Sequence, residues 1–139
     1  MSDITEEYQD VLQNIEAFIM NVFRANPDMT DTAVMRALDA ALIYFNDVRR
    51  DHTPKEPRLS GHSELVFNAM KTVCNVRLGR QELNTETEAE AEDSLDLSGM
   101  EVSPEVILAC LRKIRKSVDR WNKQAGRQGY LKFVAQFIR

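Results

Sequence analysis

The residues best suited to chemistry in this sequence are cations at helical spacing. Arg112, Lys113, Arg115, Lys116, Arg120 and Lys123, at about 100° per residue, all project from one half of a helix. Ammonium and guanidinium groups arrayed on one face neutralise phosphate or carboxylate charge on a partner. Directly after them comes Gly126-Arg127-Gln128-Gly129, where the absence of Cβ atoms lets backbone N–H groups approach an anion closely. The candidate polyanion-binding set is therefore Lys113, Lys116, Arg120, Lys123, Gly126, Arg127 and Gly129. Three other groups bear on chemistry. Acids gather at Glu6, Glu7 and Asp10; His52 and His62 flank a proline-containing loop near Asp51 and Glu64; Cys74 and Cys110 lie among apolar residues at helical spacing. First-turn acids are explained by the helix dipole. Histidines without the close spacing of an HExxH motif do not define a metal site, and the cysteines suit reduced core thiols. No phosphate loop, nucleophile elbow, CxxC or dinucleotide fingerprint occurs, so no catalytic residue, cofactor or metal ligand is assigned.

Two short stretches resemble known families. The Gly126–Gly129 turn is similar to the GXXG turn of KH domains, which implies contact with nucleic-acid phosphates. Those domains also carry a three-stranded sheet and an Ile-Gly lead-in, whereas Gln124-Ala125 stand here. The run Glu6-Glu7-Tyr8-Gln9-Asp10 resembles the EExxD/E opening of all-α, magnesium-dependent nucleotide pyrophosphohydrolases, which implies carboxylates on facing helices holding metal ions. That family adds an ExxD pair on a second packed helix. Here Glu90 and Asp93 fall in an acidic stretch, and Asp47 and Asp51 are spaced i, i+4.

The elements that must position these residues are helices. Ser103-Pro104-Glu105 supplies an N-cap hydroxyl, a proline at the first helical position and an acid at the positive dipole end. Ile107, Cys110, Leu111, Ile114, Val118 and Trp121 then form an apolar stripe opposite the cations. A shorter helix with Tyr130, Phe133, Val134, Phe137 and Ile138 is expected after the glycines. At the other end, a helix from Ser2 or Asp3 carries Ile4, Tyr8, Val11, Leu12, Ile15, Phe18, Ile19, Val22 and Phe23, a stripe wide enough to be buried on two sides, and ends at Asn26-Pro27-Asp28. Thr30 caps a second helix with Val34, Leu38, Ala41, Leu42, Phe45 and Val48 inward. The short connection predicts that these two helices pair as an antiparallel hairpin. Pro54 and Pro57 mark an ordered loop over 51–60. A third helix begins near Ser60 or Ser63, buries Val66, Ala69, Met70, Val73 and Cys74, and stops at Gly79, with Arg77 and Arg80 near its negative end.

The chain of 139 residues has a net charge of -4, and that charge is segregated. Residues 1–80 carry nine basic and twelve acidic side chains, 81–100 carry none and seven, and 101–139 carry nine and three. The 82–98 segment has too little apolar content to offset the entropy of ordering and is expected to be a flexible acidic linker, able to fold back over the cations. No run shows the period-2 pattern of a strand, none approaches the roughly 18 apolar residues of a membrane span, and the N-terminus is acidic where a signal peptide is basic.

The sequence therefore predicts an all-α fold: a single helical domain over 1–139, a bundle of four long helices plus a short C-terminal helix, with the acidic linker before the fourth. The predicted function is that of a cytoplasmic protein–protein interaction or scaffold protein that self-associates, with no membrane and no cofactor. Ile43, Tyr44 and Leu108 lie off the core stripes and are the candidate self-association residues. The alternative is a nucleic-acid-binding protein that uses the basic helix over 112–123 and the Gly126–Gly129 turn.

Overall fold

The computed structural model describes residues 2–80 and 101–124, with side chains described from Tyr8 onward and not for residues 121, 122 and 124. The expected linker over 82–98, the Gly126–Gly129 turn with Arg127, the Tyr130–Ile138 helix and the Trp121 side chain lie outside the described residues. Within them the protein is all-α. Four helices occur, α1 (Ser2–Ala25), α2 (Asp31–Arg49), α3 (Gly61–Arg77) and α4 (Pro104–Gln124), and no strand.

Local chemistry accounts for the helix ends. The Thr30 hydroxyl accepts a hydrogen bond from the Ala33 N–H at 3.4 Å, and Ser103 does the same for Val106 at 3.4 Å, each sharing a first-turn N–H that also donates to the cap residue's own carbonyl at 3.1 Å. Two C-termini close in the same way. After α3, Gly79 at φ +74 lets the Arg80 N–H reach the Asn75 carbonyl at 2.8 Å while the Gly79 N–H reaches Val76 at 3.0 Å. After α2, Asp51 at φ +59 lets His52 reach Asp47 at 3.0 Å while Asp51 reaches Val48 at 3.1 Å. Both are Schellman motifs, one with the expected glycine in the left-handed position and one with an aspartate.

The helices pack in a ring. α1 and α2 each pack against both α3 and α4. The expected α1–α2 hairpin is thereby corrected, because the two helices stand across the bundle from one another. Each has an apolar face broad enough for two neighbours, and Met29, in the connection between them, is 1% exposed and sits in the core. α1 and α3 run antiparallel: Asp10 meets Arg77 at the end of α3, and Asp28 meets His62 at its start.

The core holds Val11, Leu12, Ile15, Ile19 and Phe23 of α1 and Val34, Leu38, Ala41 and Phe45 of α2. From the other pair come Val66, Met70, Val73 and Cys74 of α3 and Ile107, Cys110, Leu111, Ile114 and Val118 of α4. All of these lie on the expected stripes. Two self-association candidates do not reach the surface. Tyr44 is buried on the α2–α3 flank, edge-on to Phe67 with ring centroids 5.6 Å apart. Leu108 is 1% exposed. It lies on the same side of α4 as Arg115, which pairs with Asp39 of α2. Packing against two helices buries an arc of about 180° on α4, wider than the stripe by which the sequence identified it. Ile43 is the candidate that remains exposed, at 68%.

Candidate functional site

The surface of α4 opposite its core arc carries the cations. Arg112, Lys113, Lys116, Arg120 and Lys123 are all exposed, and at about 100° per residue they fall within an arc of about 100°. From Arg112 to Lys123 the rise is about 16 Å at 1.5 Å per residue. The flanks of this arc are occupied differently. Arg115 sits beside α2, its guanidinium raised further in pKa by the hydrogen bond to Asp39. Asp119 borders the stripe and approaches Lys123 Nζ at 3.5 Å. Arg112, Lys116 and Arg120 form no ion pair with another described residue, so their charge faces outward. The structure thus brings together Lys113, Lys116, Arg120 and Lys123 on one face. Gly126, Arg127 and Gly129 lie outside the described residues.

On the α1 side, the basic face passes into a buried polar cluster. Lys113 Nζ stands 5.4 Å from the centroid of the Tyr8 ring, a cation–π distance. The Cys110 thiol, one turn earlier on α4, donates to the Tyr8 carbonyl oxygen at 3.4 Å. Glu16 of α1 is 1% exposed, and its Oε1 has no hydrogen-bond partner. Burial pushes the Glu16 carboxyl up to about 8, opposed by the Lys113 charge. Burial likewise pushes the Cys110 thiol up to about 12 and the Cys74 thiol well above its ordinary value. Such thiols are held as S–H and are poor nucleophiles.

The other flank of α1 holds an ion pair. Arg77 of α3, whose side chain is 2% exposed, donates from Nη2 to Asp10 Oδ2 at 2.7 Å, while its Nε and Nη1 have no partner. The sequence placed Arg77 at a helix end for its dipole; its buried guanidinium is held by α1 instead. Glu16 escaped the sequence reading altogether. The available signal was an acid in the otherwise apolar run Ile15, Ala17, Phe18 and Ile19.

The remaining candidates do not converge. Asp10 is engaged by Arg77, and the side chains of Glu6 and Glu7 lie outside the described residues. His62 Nε2 is 3.8 Å from Asp28 Oδ1, whereas the His52 backbone N–H serves the α2 cap. Among the described residues no group of three or more His, Cys, Asp or Glu side chains could hold a metal ion. No described helix is long and apolar enough to cross a membrane.

Comparison with known proteins leaves this geometry to be read on its own terms. No protein-family model matches the chain, and no significant match was found among curated proteins or among solved structures.

Proposed function

We propose that this chain is a helical protein–protein interaction module whose docking surface is the basic face of α4 and whose partner presents acidic side chains. The observation that carries the reading is the outward stripe of Arg112, Lys113, Lys116, Arg120 and Lys123, exposed and uninterrupted within its arc by an acid. Five like charges on one face repel one another and lower helix stability, and an acidic partner relieves that repulsion. One feature favours a protein over a nucleic acid: the net charge of -4 repels any anionic partner at long range, and most strongly a duplex that carries one charge per about 1.7 Å of its axis. Self-association through Ile43, Tyr44 and Leu108 loses support, since one exposed isoleucine is ordinary for a protein surface.

The test is binding of the full chain to fluorescein-labelled poly-L-glutamate, with single-stranded RNA and duplex DNA of matched charge as comparators. The expected result is tighter binding to polyglutamate, lost in a Lys116→Glu/Arg120→Glu variant that keeps its helical spectrum. Preference for RNA or DNA would transfer the face to the nucleic-acid reading. Equal binding by the charge-reversed variant would remove the face from both.

A further inference from the structure

Lys113 belongs both to the exposed stripe of α4 and to the buried cluster against α1. Its ammonium lies over the Tyr8 ring, and its charge reaches both Glu16 and Cys110. Among the described residues, the titratable groups close enough to Glu16 to feel its charge are Lys113 and Cys110 of α4 and Tyr8 of α1. Arg77 and Cys74 of α3 lie beyond them, beside Cys110. Arg77 is already engaged by Asp10, and α2 is not among the helices packed on α1. Lys113 is therefore the one described cation positioned to answer a charge on Glu16. Its four-carbon stem lets the ammonium move between an inward and an outward position while the stem stays against apolar surface.

We propose that Glu16 is a proton switch for the basic face, competing with the acidic partner for Lys113. The proposal rests on the docking reading above and adds its regulation. With Glu16 protonated, the neutral carboxyl makes no demand on Lys113, which joins Lys116 and Arg120 in contact with the partner. When Glu16 ionises, a carboxylate that is 1% exposed and whose Oε1 has no hydrogen-bond partner must be compensated, and Lys113 is drawn in against α1. The Cys110 thiol stays protonated through this range, so its contact with the Tyr8 carbonyl persists and Glu16 alone changes state. Raising the pH through about 8 therefore withdraws one cation from the docking face, and by reciprocity a bound partner holds the proton on Glu16 more tightly.

The experiment measures polyglutamate affinity at fixed low ionic strength across a range bracketing the Glu16 transition, for the unaltered chain, Glu16→Gln and Lys113→Met. Loss of one exposed charge contact corresponds to a roughly two- to fivefold weakening, and that fall is expected in the unaltered chain from the acid to the alkaline side. Glu16→Gln should bind with constant affinity, and Lys113→Met more weakly but also without pH dependence. A profile shared by the unaltered chain and Glu16→Gln, or a fall retained in Lys113→Met, overturns the switch and leaves the docking face standing. No binding at any pH overturns both. A carbon-13 titration of the Glu16 carboxyl in the unaltered chain gives a reading that does not depend on any variant folding. Added polyglutamate should move its midpoint to higher pH, and an unmoved midpoint under saturating polyglutamate overturns the switch.

Discussion

A carboxyl held in the interior costs stability whenever the solution favours its ionised form, and Glu16 makes this measurable. Its folded-state value is raised from 4.5 to about 8 by burial. Below the unfolded value both states are protonated, and the group's contribution is fully present. As the pH rises the unfolded chain releases the proton while the folded chain must keep it, so stability falls until the pH passes about 8. Glu16→Gln removes this dependence and at neutral pH should stabilise by on the order of 3 kcal/mol. Urea titrations at acid and alkaline pH check it: the gap between variant and unaltered chain must widen with pH, and a constant gap refutes the assignment. The ion pair on the other flank behaves differently. Asp10→Ala strands a buried guanidinium and should destabilise by about 2–4 kcal/mol, somewhat below a fully buried pair because the Asp10 side chain is 42% exposed. Arg77→Met replaces the guanidinium with apolar volume and should cost far less.

At the scale of the elements, the two Schellman caps make a paired prediction. Asp51 holds a left-handed conformation that costs an L-residue about 1–2 kcal/mol, so Asp51→Gly should raise stability by up to about 1 kcal/mol. Gly79→Ala should lower it by about 1–2 kcal/mol, since φ there is +74 and a Cβ would also meet the Glu101 side chain. Thermal unfolding of the two variants should shift in opposite directions. The glycine stop was legible because Gly in that place has a single backbone reason; the aspartate stop was not, because Asp also serves turns and caps. Helix starts at Thr30 and Ser103 and the stripes Ile107–Val118 and Val34–Val48 were legible for the same reason: caps and 3.6-residue periodicity are local properties. What periodicity does not encode is the number of neighbours. Tyr44 and Leu108 read as surface residues because each lies beyond the arc that one neighbouring helix covers, and the α1–α2 hairpin was expected because a short connection says nothing about which helix fills the space between. In the basic helix, Leu111→Ala or Ile114→Ala should destabilise by about 2–5 kcal/mol, since both are fully buried.

For the molecule as a whole, the proposed docking face works against the sign of the chain that carries it. The net charge is -4, yet the face of α4 is a stripe of cations, so the proposed acidic partner would meet the attraction of the stripe and the repulsion of the net charge together. Their balance depends on how far charge is felt. The excess of acid lies in residues 81–100, which carry seven acids and no base, and the screening length is about 8 Å at physiological ionic strength and roughly 30 Å at 0.01 M salt. At the lowest salt the partner therefore feels the whole acidic molecule, at intermediate salt mainly the stripe, and at about 1 M, where the length falls to about 3 Å, little of either. Polyglutamate affinity should consequently pass through a maximum as salt is raised, instead of declining throughout as it does for a protein of uniform positive charge. Lys116→Glu/Arg120→Glu should abolish the maximum by removing the local attraction while deepening the repulsion. A monotonic decline from the lowest salt in the unaltered chain would mean that the partner is held by charges other than the α4 stripe, or that the acidic remainder lies too far from the docking face to oppose it.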